Sequence, residues 1–302
     1  MAAAMAKLAA QHLMERETRL REGRVDMTAF GDGVDRGNLR IEGGEFLFET
    51  PEGLRFHYRR GEGVTVDRSH AQDTSFETLW RNGSVYAAVA SINGLLPVHA
   101  SAVACNGGVI AFTGPSGAGK STLATALGAH GLPLFCDDTL VLDLSAPDRL
   151  MCLPGHKRLK LTAEAIALTG ATAQEDVAAG LGKRYALPPA GIVSAPLPLA
   201  GLMFLEDCGN EDGDDAGGGT ARIEPITGAE RMLRLQDDHY TADLFASARR
   251  FSRAEMFAHL ARLARQIAMT RFVRPRDAAQ FHDGVARVAR YVTGTDKLRN
   301  PS

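Results

Sequence analysis

The chain has 302 residues, of which 45% are hydrophobic and 23% are charged, and its formal net charge is −2. This composition is ordinary for a globular protein with one large domain or two modest ones. The small net charge creates no global field that would attract nucleic acid or an anionic membrane, and no apolar run approaches the roughly 18 residues of a membrane-spanning helix. We therefore expect neither nucleic acid nor a membrane as a partner.

The N-terminal stretch is alanine-rich and lacks an apolar core followed by a cleavage site. It predicts a surface helix or a frayed segment rather than a signal peptide. None of the four cysteines forms a C-x-x-C pair, which argues against a zinc site. Three of them lie in or near apolar runs and suit reduced thiols in a core, so we expect a cytoplasmic protein. The cysteines are Cys105, Cys136, Cys152 and Cys208.

Apolar and polar residues alternate over positions 38–68 and predict a small antiparallel β-meander. Phe46 and Phe48 share one face of a strand, while Gly43–Gly44 and Pro51–Gly53 mark the turns. The meander is too small to fill the chain, so a second unit must follow it.

Apolar residues recur at helical spacing over positions 75–93, and this segment would link the meander to the next unit. Residues 95–145 then alternate strand, glycine turn and helix, as an α/β domain does. We therefore expect a lead-in helix and a small antiparallel β-domain in residues 1–93. A second domain, with a helical C-terminal part, would occupy residues 94–302.

The stretch GPSGAGKS at residues 114–121 fits the phosphate-binding pattern G-x-x-x-x-G-K-[ST] without a mismatch. An apolar strand precedes it and an alanine-rich helix follows, which is the setting that this pattern requires. Its glycines let backbone N–H groups converge on an anion, Lys120 would reach the β- and γ-phosphates, and Ser121 would ligate Mg²⁺. We therefore predict ATP and Mg²⁺ as cofactors. The predicted nucleotide contacts in this stretch are Gly114, Pro115, Ser116, Gly117, Ala118, Gly119, Lys120, Ser121 and Thr122.

Two further elements flank the phosphate loop in sequence. Asn106–Gly107 is a two-residue hairpin turn signal, and pairing outward from it places His99 opposite Gly114. Downstream, Leu132–Cys136 predicts a buried strand after the helix, reached by a parallel crossover, and Asp137–Asp138 follow at its carboxyl end. Adjacent side chains in extended backbone point to opposite faces, so both carboxylates can serve one site only if the strand ends or kinks there. One could hold Mg²⁺ and the other could accept the proton of an attacking hydroxyl.

The remaining chain is predicted from periodicity and composition. Short helical pieces are expected at 163–168 and 171–180, and an apolar stretch at 196–206 predicts a buried strand. Residues 206–220 are rich in Gly and Asp and predict a loop, with a calcium or partner site as the alternative. Residues 238–293 are expected to be helical, with many arginines on a solvated face, of which one or two could instead reach a phosphate or an acidic partner.

A histidine-bearing strand, a phosphate loop and a strand ending in Asp-Asp resemble the catalytic domain of HPr kinase/phosphorylase over roughly residues 95–165. That family phosphorylates a serine hydroxyl on a small protein. The resemblance implies that Asp137 takes the serine proton, that Asp138 and His99 tune or orient it, and that Lys120 and Ser121 contact phosphate and Mg²⁺. We expect Mg²⁺ at Ser121 and Asp138.

The segments LLPVHASAV, FTGPSGAGKSTLA, CDDTLVLD, LPGHKRLKL and RFVRPRD also resemble HPr-kinase-related proteins found with genes for ribosomally made peptides. In the lasso-peptide examples, the kinase phosphorylates a serine of the precursor peptide. The resemblance therefore implies a peptide or small-protein acceptor such as a lasso precursor. Related kinases assemble as oligomers, which makes a homo-oligomer a further expectation.

Two basic residues outside the phosphate loop are candidate ligands. Lys160 lies between two leucines and would be carried by a strand, where it could contact a nucleotide phosphate or an acidic acceptor, with a solvated loop as the alternative. Arg184 could be a lid arginine that stabilises charge on the transferred phosphoryl group.

The sequence thus predicts an α/β fold: a P-loop kinase domain with a mixed sheet, similar to the C-terminal domain of HPr kinase, after a small β-rich domain. The predicted function is an ATP- and Mg²⁺-dependent kinase of a serine hydroxyl on a peptide or small protein. A small-molecule P-loop kinase and a non-catalytic ATP-binding regulator remain alternatives. The chain has no N-K-x-D or L-S-G-G-Q motif, which disfavours a GTPase switch and a transporter ATPase.

Overall fold

The computed structural model describes residues 2–28, 34–35, 38–146, 148–208, 220–236, 246–248 and 250–294, with the backbone alone for 2–8 and 34–35. Within these ranges the fold is mixed α/β. No described helix combines the length and the apolar composition that crossing a membrane requires.

The N-terminal part is a helix followed by a six-stranded sheet of spatial order β1-β6-β5-β4-β3-β2. β1 pairs with β6 in parallel and the other neighbours are antiparallel, as in a meander. Gly43 and Gly44 both have positive φ angles in the turn between β3 and β4, which suits glycine. The elements are α1 (Ala2–Glu17), β1 (Leu20–Glu22), β2 (Val34–Asp35), β3 (Leu39–Glu42), β4 (Glu45–Glu49), β5 (Arg55–Arg59) and β6 (Gly63–Asp67).

The lead-in helix α1 is anchored to this sheet. Its last residue, Glu17, is fully buried and accepts hydrogen bonds from the Tyr58 hydroxyl and the Gly61 N–H, each at 2.7 Å. Met14 of the same helix packs into the core of the sheet with Phe46. The helix is therefore part of the fold and not a frayed end.

A continuous helical stretch leads from the first sheet to the second. It consists of α2 (Glu77–Trp80), a π-helical segment (Arg81–Val85) and α3 (Tyr86–Ile92). The α3 side chains are buried in the core of the first sheet, and the same core reaches Val141 and Leu153 of the second unit. The two predicted domains therefore share a core.

The second unit begins with the hairpin and crossover that the sequence predicts. Cys105 lies opposite Gly108 across the turn, and the pairing runs outward to Ala100 and Thr113. The first elements are β7 (Leu96–Cys105), β8 (Gly108–Thr113), α4 (Lys120–Gly128), β9 (Leu134–Cys136), β10 (Thr139–Asp143) and β11 (Met151–Leu153). The later elements are β12 (Leu159–Thr162), α5 (Ala163–Thr169), β13 (Ala173–Asp176), β14 (Lys183–Ala186), β15 (Leu197–Asp207), β16 (Arg222–Pro225), α6 (Glu230–Gln236), α7 (Arg253–Gln266), β17 (Ala268–Arg274) and α8 (Ala278–Thr293).

The large sheet has the order β11-β10-β7-β8-β15-β17-β16, and β9 also pairs with β7. β11 pairs with β15 as well as with β10, so five strands close into a ring. β8, β15 and β17 are mutually parallel, and β9 runs in the same direction because β8 and β9 are both antiparallel to β7. Their carboxyl ends therefore meet at one edge, which is where ligands bind in such sheets.

Two predictions of secondary structure were wrong. Residues 171–180 were expected to be helical but contain β13, which forms a three-stranded sheet with β14 and β12. Residues 238–293 were expected to be helical throughout but contain β17, whose Thr270, Phe272 and Val273 are types that favour strands. The glycine- and aspartate-rich loop lies largely outside the described residues, as do most of residues 237–249.

Candidate active site

The chain between β8 and α4 carries the predicted phosphate loop. Gly119 precedes the helix with a φ of 81°, in the left-handed region where glycine has no steric penalty. The Lys120 side chain is buried, and its Nζ donates to the carbonyls of Gly114 at 2.8 Å and Pro115 at 3.1 Å. Burial lowers the pKa of Lys120 to about 8, although the nearby Asp138 and Asp137 act in the opposite direction.

Asp137 is buried directly behind the phosphate loop. Its Oδ1 accepts hydrogen bonds from the hydroxyls of Ser101 at 2.5 Å and Ser121 at 2.7 Å. Its Oδ2 accepts from the backbone N–H of Lys160 at 3.1 Å. Both oxygens are thus engaged by the protein, and one of them fixes the hydroxyl of the residue that the motif assigns to Mg²⁺. This geometry suits a carboxylate that orients Ser121 and a metal ion.

The backbone kinks at Asp138. Both carboxylates can serve one site only if the chain leaves the extended conformation there. The φ of Asp138 is +75°, so the chain leaves the extended conformation directly after Asp137. The two carboxylates are thereby placed differently: Asp137 is buried behind the loop, whereas Asp138 lines the adjacent cavity.

Two basic side chains surround the Asp138 carboxylate. Lys160 Nζ lies 2.8 Å from Oδ2, and His99 Nδ1 lies 3.9 Å from Oδ1 and 3.1 Å from the Asp138 carbonyl oxygen. Burial by itself raises the pKa of Asp138, but the Lys160 ammonium, His99 and Lys120 outweigh it and hold the pKa below its ordinary value. Burial and the charge of Lys120 lower the pKa of His99. Asp138 is therefore an anion at pH 7, and His99 loses its proton more readily than a free imidazole does.

A cavity of about 1020 Å³ opens in front of the loop and Asp138. One wall comes from the linking helical stretch, with Trp80 from α2 and Gly83 from the π-helical segment. A β-carbon on Gly83 would lie 3.1 Å from Asp138 Oδ2, so this wall passes directly beside the carboxylate. Trp80 is held by the first sheet, because its Nε1 donates to Glu52 at 2.8 Å. The N-terminal part therefore completes the cavity.

The structure brings most of the predicted site residues together. His99, Asp138 and Lys160 border one cavity together with part of the phosphate loop, and Asp137 lies behind it. The loop residues that border it are Ser116, Gly117, Gly119, Lys120, Ser121 and Thr122, whereas Gly114, Pro115 and Ala118 are not among them. Arg184 is not among the residues that border it: the side chain is 51% exposed and pairs with Asp176 at 3.4 Å. The preceding residue, Lys183, borders the cavity instead, because successive residues of a strand point to opposite faces.

Sequence reasoning missed several residues of the site. Ser101 could have been found, because it lies two residues after His99 and so shares its face of β7. Arg274 lies at the carboxyl end of β17, and its guanidinium donates to the Ala118 carbonyl in the phosphate loop. Burial lowers the pKa of Arg274, but a guanidinium keeps its charge in proteins. Gly83 gave no sequence signal, because its position depends on the packing of the two units.

The donor set around Ser121 fits Mg²⁺. No cluster of three or more His, Cys, Asp or Glu side chains that could hold a metal occurs among the described residues. Mg²⁺ beside a nucleotide needs fewer protein ligands, because it keeps several waters and takes oxygens from the phosphates. A serine hydroxyl and one buried carboxylate, as in Ser121 and Asp137, satisfy that requirement.

No family model and no curated protein sequence matches this chain. Among solved structures, the chain is similar to the HPr(Ser) kinase/phosphatase from Coxiella burnetii. The two sequences are 16% identical, the match covers 66% of this chain and 94% of the other, and the TM-score is 0.31. This is a distant structural relationship, so the functional argument rests on the site itself.

Proposed function

We propose that this protein is an ATP- and Mg²⁺-dependent kinase that phosphorylates a serine hydroxyl on a peptide or small protein. The observation that carries the proposal is that two adjacent carboxylates lie in different environments. Asp137 holds the Ser121 hydroxyl of the phosphate loop at 2.7 Å, while Asp138 lines the cavity. A protein that only senses a nucleotide has no need of the second, cavity-facing carboxylate.

We assign the two aspartates the reverse of the roles that the resemblance implies. Ser121 would ligate Mg²⁺, and Asp137, which accepts the hydrogen bond of the Ser121 hydroxyl, would orient that ligand and the water around the ion. The ion when bound neutralises charge on the β- and γ-phosphates. Asp138 would receive the acceptor hydroxyl, because its side chain borders the cavity and that of Asp137 is buried. An acceptor oxygen must come within about 3.2 Å of its base, and the buried Asp137 offers no such approach.

In the proposed reaction, the serine Oγ forms a bond to the γ-phosphorus as the bond from that phosphorus to the β–γ bridging oxygen breaks. The serine proton passes to the Asp138 carboxylate and ADP leaves. Lys160 holds Asp138 as an anion and makes it a weak base, which suits a transfer that depends mainly on placement and charge neutralisation. Lys120, Lys183 and Arg274 supply positive charge around the phosphates.

The acceptor that we propose is a serine of an extended peptide, such as a ribosomally made precursor of the lasso type. The cavity is large and is bordered by Leu79, Trp80 and Ser84 next to Asp138, which offers apolar contacts and a polar one beside the reacting hydroxyl. A peptide segment uses such a wall by placing its neighbouring side chains against it.

Mass spectrometry of a phosphorylation reaction tests the proposal. The protein would be incubated with Mg²⁺-ATP and serine-containing peptides, including small peptides encoded beside its gene, with Asp138→Asn as the control. A phosphoserine product that the variant does not form supports the proposal. ATP consumption with a metabolite extract, but no phosphopeptide, would instead indicate a small-molecule kinase. Tight ATP binding without acceptor-dependent turnover would indicate a regulator.

A further inference from the structure

The phosphate loop lies between two different groups of side chains at the edge of the large sheet. β8 leads into the loop, and β9, which ends at Asp137–Asp138, is two strand positions away on one side of β8, with β7 between them. β17, which ends at Arg274, is two positions away on the other side, with β15 between them. Neighbouring strands are about 4.8 Å apart, so the ends of β9 and β17 lie about 10 Å from β8 on opposite sides. Side chains from both ends reach the loop, because Asp137 accepts from Ser121 and Arg274 donates to the Ala118 carbonyl.

This arrangement has a consequence for the nucleotide if the protein is a kinase as proposed. In phosphoryl transfer, the attacking and leaving oxygens lie roughly in line on opposite sides of the phosphorus. An acceptor that approaches from the Asp138 side therefore requires the leaving ADP to extend toward the β17 side. The nucleoside must be sought among the residues there.

The cavity on that side is lined by apolar side chains. Phe281 and Val285 come from α8, and Phe272 comes from β17. Leu168 of α5 borders the same cavity, and α4 packs against both α5 and α8. Phe281 is only partly buried: it packs against the core and also borders the cavity. Gly284 lets α8 pack closely on β17, because a β-carbon there would lie 3.3 Å from the Phe272 ring.

β12 lies between this apolar region of the cavity and the region around the Asp138 carboxylate. Lys160 reaches the Asp138 carboxylate, whereas the next residue, Leu161, is buried in the core shared with α4 and α5. Successive residues of a strand point to opposite faces, so the strand presents its charged side chain to the acceptor side and its apolar one to the α5 side. The polar and apolar regions of the cavity are thus built from the same strand.

We propose that the adenine base of ATP binds in the cleft between α5 and α8, against Leu168, Phe281 and Val285. The inference rests on the proposed function and adds the location of the base. The ring of Phe281 and the aliphatic walls give the flat base the apolar and stacking contacts that hold nucleobases in proteins. The triphosphate then runs from this cleft across α4 to the phosphate loop.

Photo-crosslinking locates the base directly. The full-length protein would be irradiated with 8-azido-ATP and Mg²⁺, digested, and the labelled peptides mapped by mass spectrometry. Labels within residues 161–168 or 272–285 are expected. Labels within residues 79–84, on the acceptor side, would overturn the inference while leaving nucleotide binding intact. Failure of the protein to bind any nucleotide would overturn the proposed function, and this inference with it.

A matched pair of phenylalanine variants provides a second test. Phe281→Ala removes an aromatic wall of the cleft, and Phe257→Ala removes an aromatic side chain on α7 that is 57% exposed and outside the cavity. We expect Phe281→Ala to weaken ATP binding about tenfold and inorganic tripolyphosphate binding less than about twofold, because only ATP carries a base. Phe257→Ala should change neither affinity. Equal weakening of both ligands by Phe281→Ala, or no weakening of ATP binding, would contradict the inference.

Discussion

The hydroxyl of Ser101 is expected to contribute strongly to the free energy of unfolding, because it holds the Asp137 carboxylate in place. Ser101 is fully buried, and its Oγ donates to Asp137 Oδ1 at 2.5 Å. The carboxylate has two other donors, the Ser121 hydroxyl and the Lys160 N–H. Ser101→Ala therefore removes one of three hydrogen bonds to a buried carboxylate without removing the carboxylate.

The size of the expected loss of stability follows from the acceptor of the hydrogen bond, which is a carboxylate. A hydrogen bond to a charged group contributes about 1.5–3 kcal/mol, so we expect Ser101→Ala to lower the free energy of unfolding by about that amount. The matched control is Ser91→Ala, since Ser91 is equally buried but donates to a neutral carbonyl, that of Ala87, at 2.9 Å. Such a bond within a helix contributes about 1 kcal/mol or less, because it competes with the helical backbone pattern.

Urea denaturation of the two variants and the unchanged protein, followed by circular dichroism at neutral pH, measures the difference. Ser101→Ala should be less stable than Ser91→Ala by at least about 0.5 kcal/mol. Equal losses of unfolding free energy for the two variants would show that the Ser101–Asp137 hydrogen bond is no stronger than one to a neutral carbonyl. The account of the buried carboxylate behind the phosphate loop would then be wrong.

Three further predictions concern the cavity. Gly83→Ala places a β-carbon 3.1 Å from Asp138 Oδ2, so turnover should fall up to about tenfold. Thermal stability should be unchanged or rise, because alanine favours a helix over glycine by about 1 kcal/mol. Unchanged turnover in steady-state kinetics would contradict this prediction. ATP affinity, measured by calorimetry, should be constant below pH 8 and fall up to about tenfold per pH unit above it. The reason is that Lys120 in the free protein has a pKa of about 8, so above that pH it loses a proton that it keeps when phosphate is bound. A flat affinity profile to about pH 10 would refute the assignment of Lys120 as a phosphate ligand. Lys183→Gln should weaken ATP binding about three- to fivefold, which is the most that an exposed charge pair usually contributes. Arg184→Gln should leave ATP binding unchanged. A larger loss of ATP affinity for Arg184→Gln than for Lys183→Gln would restore Arg184 as the ligand.

The phosphate loop and the strands around it could be predicted because their signals are local. A loop of fixed spacing, a two-residue turn at Asn106–Gly107 and an apolar strand before Asp137 each depend on a few adjacent residues. The hairpin register follows from the turn alone, which is why the pairing of Ala100 with Thr113 agrees with the prediction. Sequence reasoning also identified that a kink was needed at the double aspartate, although not that Asp138 adopts positive φ.

The elements that were missed depend on contacts between distant segments. β17 alternates too briefly to stand out from the helices on either side, and it is a strand because β15 and β16 offer it hydrogen-bonding partners. For the same reason, Arg274 at its end could not be placed next to the phosphate loop. The choice between Lys183 and Arg184 depended on which face of β14 meets the cavity, and a shift of one residue reverses that choice.

The roles of the two aspartates depend on burial, which the sequence does not show. Asp137 and Asp138 are adjacent and chemically identical in sequence, and either could accept a proton. The structure distinguishes them because the hydroxyls of Ser101 and Ser121 and the Lys160 N–H enclose Asp137, while the side chain of Asp138 faces the cavity. The roles that we propose for the two aspartates therefore follow from the packing around β9 and β12.

The most direct test of the account compares Asp138→Asn with Asp137→Asn in acceptor-dependent phosphoryl transfer and in Mg²⁺-ATP binding. Asp138→Asn should lower turnover by about 10²- to 10⁴-fold with nucleotide affinity nearly unchanged, because it removes only the proton acceptor. Asp137→Asn should chiefly raise the Mg²⁺ concentration that nucleotide binding and turnover require. If Asp138→Asn retained turnover, and Asp137→Asn lost turnover with its Mg²⁺-ATP affinity intact, Asp137 would be the base and the proposed division of roles would be contradicted.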